Sequence, residues 1–454
     1  MKSPLRIANG QGFWGDSILA PVRLIREGPL DYLTLDYLAE VTMSIMQKLK
    51  QRDPERGYAT DFIRLLDRIL PEILEKDIKV IANAGGVNPE GCVRAVREVA
   101  EKHGIHTLKI GTVAGDDIFP ELDDLLAAGE ALSNMDTGQS FREVRDRITS
   151  ANVYLGAFPI AQALAEGAQI VITGRCTDPS LVVGPLIQEF GWTERDYNQL
   201  AAGTVAGHIL ECGAQCTGGI YTDWEEVPDL AGIGYPVIEA FPSGEFIVTK
   251  HEGTGGVVNY QSVVSQVVYE IEEPTRYLTP DVTADFTSME ISEEGDDRVR
   301  ISEVAGSAPP EKLKVSVSYT NGWKAVGQLT ISGPDAVDKA RLAAEIIWER
   351  LALDGITFGE GQTNAELLGT GVTMPVTAAR SRAPGEVVLR IGVKDESREK
   401  VARFGREIVP LVTSGPPGVT GFGEGRPKPS EIVSYWPTLI SRETVQPEVN
   451  IVSI

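Results

Sequence analysis

The stretch Leu5–Ser17, LRIANGQGFWGDS, decides the fold, because a short strand-like run passes directly into a loop carrying glycines at 10, 12 and 15. The same sequence of events recurs. Tyr32–Asp36 leads into DYLAE, Lys79–Asn83 into NAGGVNPEG, Thr107–Val113 into AGDD, and Ala168–Thr173 into GRCTDPS. Amphipathic helical patterns lie between, such as Thr60–Leu70, which sets Phe62, Leu65, Leu66, Ile69 and Leu70 on one side, and Pro89–His103. Strand and helix periods that alternate in this way predict βαβ units and a mostly parallel sheet. Residues 1–215 are therefore read as an α/β, Rossmann-like domain. Ligands of open α/β sheets bind beyond the carboxyl ends of the strands, so these five loops are expected to gather around one site.

Beyond about Thr217 the pattern changes to shorter alternating runs, among them Val237–Phe241, Glu245–Thr249, Arg298–Val304 and Leu313–Tyr319. Asn321-Gly322, flanked by KVSVSYT and WKAVGQLTI, has the chemistry of a two-residue hairpin turn. Helices are predicted at Asp335–Leu353 and Glu396–Val409, and a last strand at Glu448–Val452. Residues 216–454 thus read as an α+β region with antiparallel strands, divisible near 310.

The chain has 65 acidic against 42 basic residues and a net charge of −23, which repels nucleic acid and anionic lipid over most of its surface. No nucleic-acid or membrane partner is expected. Four irregularly spaced cysteines and the absence of a long apolar run point to a cytoplasmic protein.

GTVAGHILECGAQCTGG, Gly203–Gly219, concentrates reactive side chains. It reads as a helix ending near Gly213, with His208, Glu211 and Cys212 on one face. An imidazole beside a carboxylate and a thiol suggests an acid–base pair or a nucleophile. The competing interpretation is a tightly packed helix of small residues with an inert buried thiol. Asp178, next to Arg175, joins the catalytic candidates. Gly10, Gly12 and Gly15 with Asp36, twenty-one residues on, trace a dinucleotide fingerprint and so admit NAD. Asn83, Gly85 and Gly86 before the Pro89 helix, and Gly218 with Gly219, offer backbone N–H groups to a phosphate or an oxyanion. Asp116 and Asp117 are the candidates for a metal such as Mg²⁺.

GFWGDS, NAGGVNP, GDD, ITGRCTD, GTVAGHILECGAQCTGG, VPDLAGIGYP, GTGG and YLTPDV, in this order, resemble the AtuA family of acyclic terpene utilisation proteins over nearly the whole chain. The resemblance implies breakdown of branched or isoprenoid acids as acyl-CoA thioesters. Many relatives continue into a small C-terminal domain, so a separately encoded companion subunit is expected here, together with homo-oligomer formation. The residues and the resemblance together give a lyase or hydratase acting on an acyl-CoA, whose CoA moiety binds with it. An NAD-dependent dehydrogenase and a non-catalytic binding or scaffold subunit are the alternatives.

Overall fold

The computed structural model describes residues 4–374, 384–422 and 425–454. Contacts divide the chain into two compact units, Met1–Ser318 with Tyr435–Ile454, and Tyr319–Ser434.

The first unit is built on β1 (Leu5–Asn9), β2 (Tyr32–Leu35), β3 (Lys79–Ala82), β4 (Lys109–Ala114) and β6 (Ile170–Thr173), which pair in parallel in the order β1-β2-β3-β6-β4. All four residues of β2 and of β6 are buried, as expected of strands covered on both faces. Helices α3 (Thr60–Glu75) and α4 (Pro89–Lys102) bury Phe62, Leu66, Ile69, Val93 and Val96 in the core that contains Leu33, Leu35 and Val80. The sheet is not mostly parallel, however. β7 (Val237–Ala240), β8 (Phe246–Thr249), β12 (Arg298–Ser302) and β11 (Glu290–Gly295) extend it antiparallel beyond β1, and β19 (Glu448–Ser453) closes the other edge against β4. Ten strands form one mixed sheet. The expected boundary at residue 215 falls inside this unit, because Ala240 to Val237 pair residue by residue with Leu5 to Ala8.

Strand order also moves the reversal of the chain's course away from β1. After β3 the chain moves outward to β4. After β6 it returns through α7 (Ser180–Phe190) and α8 (Tyr197–Glu211) to β7 beside β1. The connections leaving the adjacent strands β3 and β6 therefore run in opposite directions and cross, so the chain reverses its course here, and the edge open to ligands is the carboxyl edge that the parallel strands share. A dinucleotide fold places that reversal at its first strand, which here has β2 on one side and antiparallel β7 on the other.

A strand absent from the sequence reading, β5 (Ile148–Val153), pairs with β14 (Lys312–Ser332). β14 overturns the predicted hairpin. It runs 21 residues without reversing, Gly322 takes up a positive φ of 85°, and Trp323–Ser332 pair with β16 (Glu386–Asp395). Ten residues of ladder outweigh the local preference of Asn-Gly for a turn.

The second unit orders its sheet β15 (Thr363–Leu368)-β16-β14-β17 (Val419–Phe422). Helices α10 (Ala336–Leu353) and α11 (Arg398–Ile408) pack Ile347 and Phe404 against Leu329, Leu389 and Ile391.

Candidate functional site

The ends of β2, β3, β4 and β6 meet at the carboxyl edge of the sheet in a buried polar cluster. At the end of β2, Asp36 Oδ1 accepts from Asn83 Nδ2 (2.6 Å) and from the Leu38 amide (3.2 Å), while Asn83 Oδ1 accepts from the Tyr37 amide (2.6 Å). Beyond β4, Asp116 Oδ2 accepts from the Arg175 amide (2.8 Å) and Asn152 Nδ2 (2.9 Å). Gly174 is required here, since a Cβ would lie 2.1 Å from Asp116 Oδ1.

That turn projects Arg175, 2% exposed, into the middle of the cluster. Its Nη1 donates to Asp178 Oδ1 (2.6 Å) and to the Leu38 carbonyl (3.1 Å), and its guanidinium stacks 4.3 Å from the Tyr154 ring centre. Arg175 Nε is buried and has no partner among the described residues. The Tyr154 hydroxyl donates to Glu40 Oε1 (2.7 Å). Burial works against the Glu40 charge, but Tyr154 and Arg175 outweigh it and hold the carboxyl below its usual range. Asp178 is 33% exposed and marks where the cluster reaches solvent.

α8 brings His208 and Glu211 to the same place. Its C-terminus covers the end of β1, where Asn9 Nδ2 donates to the carbonyls of Leu210 (2.9 Å) and Glu211 (3.0 Å). His208 Nδ1 lies 2.9 Å from Glu211 Oε1, and its Nε2 lies 3.0 Å from the Gln266 carbonyl. A carbonyl only accepts, so Nε2 carries a proton and donates. The bond from Nδ1 to Glu211 then contains one further proton, shared between imidazole and carboxylate. Burial opposes charge on His208 yet Glu211 outweighs it and raises the imidazole; burial raises Glu211, with His208 opposing and Asp178 adding to the rise. Both directions mean that the pair keeps its shared proton.

His208, 2% exposed, has both ring nitrogens engaged, whereas Glu211 Oε2 is buried without a partner among the described residues. The unspent atom of the pair is therefore on the carboxylate. Asp36 is linked to the same cluster. Burial and then the Asp178 charge raise it well above the ordinary carboxyl range, against Arg175 and Asn83.

Other candidate residues have different roles. Burial and Glu211 push the Cys212 thiol up to about 12, which works against the thiolate that a nucleophile needs. The glycine fingerprint is filled from within. A Cβ at Gly10 would meet Pro21 Cβ at 2.7 Å, one at Gly12 would meet the Cys212 carbonyl carbon at 2.9 Å, and the Gly12 amide donates to Asp16 Oδ2 (2.9 Å). Gly15, at φ 103°, is open but stands alone. With Asp36 buried in the cluster, these residues do not form the cradle and ribose clamp that NAD requires.

In the remaining glycine loops three amides are engaged and Gly86 is closely packed. The amides of Gly85, Gly218 and Gly219 donate to the carbonyls of Thr173 (3.0 Å), Gln215 (3.4 Å) and Ala214 (2.8 Å). At Gly86, φ 53°, a Cβ would lie 2.2 Å from Met46 Sδ. Asn88 caps α4 itself through the Gly91 amide (3.1 Å). Asp117 Oδ1 accepts from the Phe119 amide (3.1 Å), and among the described residues no three His, Cys, Asp or Glu side chains group to hold a metal ion. The sequence reading missed Glu40, Asn152, Tyr154 and Gln266, which come from separate elements and carry no shared motif.

Asp116 gives a pH prediction. Burial raises it to about 7, against the donors Arg175 N and Asn152. A carboxyl raised on folding binds more protons folded than unfolded, so stability falls as pH rises from about 4 to about 7. Asp116→Asn keeps an acceptor for both donors and removes the titration. The variant is expected to exceed the wild type in stability at pH 7.5, by at most a few kcal/mol at about 1.4 kcal/mol per pKa unit. That advantage should fade toward pH 4. Urea midpoints across this range check it, and an advantage that is constant with pH counts against a titrating Asp116.

The fold and the cluster define an α/β protein with a buried carboxylate, imidazole and guanidinium centre at the carboxyl edge of a mixed sheet. The family model of the acyclic terpene utilisation family protein AtuA matches residues 5–451, and the chain belongs to that family, with a role in acyclic terpene utilisation. No curated protein matches the sequence. Two crystal structures of S. aureus homoserine dehydrogenase, at pH 6.5 and pH 6.0, align at 8% identity with a TM-score of 0.12. They cover 86% and 92% of this chain and 82% and 83% of theirs. Likeness at that level carries no argument. No helix among the described residues is long and apolar enough to cross a membrane.

Proposed function

We propose that the chain is an enzyme that takes a proton from the carbon next to the carbonyl of an acyl-CoA thioester and adds or removes a small group at the following carbon, as a lyase or hydratase, within acyclic terpene breakdown. One observation carries this: the His208–Glu211 pair, locked at Gln266, has Oε2 of Glu211 unspent, with the Asp178 and Glu270 carboxylates acting on Glu211 and Glu211 acting on Asp36. Such chemistry needs a base that takes a proton from carbon and a second group that returns one. Glu211 is the base in this account. His208 is a positioning residue, because its shared proton moves fully onto Nδ1 as Oε2 becomes protonated. Asp36, raised by burial, is a candidate for the acid.

The acyl-CoA itself rests on the family's link to acyclic terpene use. The test is incubation of the purified protein with branched and isoprenoid acyl-CoA thioesters, read by mass spectrometry for gain or loss of water or of a carbon fragment. Every thioester returned unchanged, with and without cell extract to supply a companion subunit, would contradict the proposal.

A further inference from the structure

We infer that the Tyr277 hydroxyl is the donor that holds the substrate's carbonyl oxygen in this site, a role that rests on the proton-transfer reading above. Tyr277 opens the short strand β9 (Tyr277–Leu278), whose backbone pairs with β10 (Thr283–Asp285) through Tyr277 and Ala284. Its ring centre lies 6.0 Å from that of His208 and 4.9 Å from that of Phe286, which itself sits 5.5 Å from His208. Three packed rings fix the phenol beside the acid–base pair.

The hydroxyl makes no hydrogen bond to any described residue, and it is not among the sealed, unpartnered buried atoms. The charges that act on it are Glu211, Asp178, Glu270 and Arg175. It therefore lies in the field of the residues that form the centre. Burial and these carboxylates keep it protonated, so it donates.

The reaction needs such a donor. When Glu211 Oε2 takes the proton from carbon, the electron pair of that C–H bond moves onto the thioester oxygen. The amides of Gly85, Gly218 and Gly219 are already engaged with carbonyls. A phenol O–H, with the Arg175 cation in the same centre, stabilises the developing oxyanion without giving up its own proton. The ligand group recognised is thus a carbonyl that becomes an enolate.

Exchange of the proton next to the thioester carbonyl for solvent deuterium in D₂O tests this, because exchange needs only base and oxyanion donor. Deuterium reaches carbon from Glu211 after that carboxyl exchanges with D₂O. Tyr277→Phe keeps the ring packing and should lower the exchange kcat by about 10² to 10³-fold, with KM and melting temperature near wild type. A Tyr277→Phe protein that exchanges at the wild-type rate, while Glu211→Gln does not exchange, overturns this inference and leaves the proposed function standing. Absence of exchange in the wild type overturns both.

Discussion

Glu211→Gln is expected to lower turnover by about 10² to 10⁴-fold, the usual contribution of a general base, with little change in the fold. The amide keeps an oxygen and a nitrogen where the carboxylate had two oxygens, so the contact with His208 Nδ1 persists in neutral form. What is lost is the basic Oε2, the one atom of the pair with no partner among the described residues. His208→Ala should have a smaller effect on rate and should move the pH profile, because both imidazole nitrogens already serve Glu211 and the Gln266 carbonyl. Steady-state kinetics of the two variants against pH check the pair. Equal losses with no change in profile would make His208 the reacting group instead.

Arg175→Met carries the largest expected loss of stability. The guanidinium is 2% exposed, answers Asp178 and the Leu38 carbonyl, and lies over Tyr154. Removing one partner of a buried ion pair typically costs about 3–5 kcal/mol, because the remaining charge has no compensation. Asp178 is a third exposed and recovers some solvation, which places the expected loss at the lower end of that range. Asp36 and Glu40 lose the same cation, so carboxyl protonation should shift upward across the cluster. Chemical denaturation gives the loss directly. The double variant Arg175→Met with Asp178→Leu should recover part of it, as replacing both members of a buried pair by apolar groups often does.

The parallel part of the fold was legible because each strand announces itself twice, through its apolar run and through the Gly, Asn or Asp that ends it. β1, β2, β3, β4 and β6 lie within a few residues of the expected ranges. β5, ITSANV, escaped because four of its six residues are small or polar and its partner, β14, lies more than 150 residues away. The antiparallel extension was invisible for a related reason: nothing in the sequence of β7 says that it pairs with β1.

The same distinction runs through the site. Asp36, Asn83, Asp116, Asp178, His208 and Glu211 were legible, since strand ends of one sheet share an edge and helical spacing places His208 beside Glu211. The glycines misled. G-x-G-x-x-G is equally the signature of backbone brought against a phosphate and of backbone brought against a neighbouring helix end, and only the Cys212–Gly213 backbone beyond Gly12 separates the two. Tyr154, Gln266 and Tyr277 have no local signature, because their roles arise from where distant elements are packed.

The central claim is that Glu211, at the end of α8 over the carboxyl end of β1, is the carboxylate that meets the substrate. A crystal structure with a non-reacting acyl-CoA analogue measures this most directly. The account predicts the carbon next to the thioester carbonyl within about 3–3.5 Å of Glu211 Oε2, the separation of a reacting pair, with the carbonyl oxygen turned toward Tyr277. An analogue seated away from this edge, with Glu211 still enclosed, would contradict it.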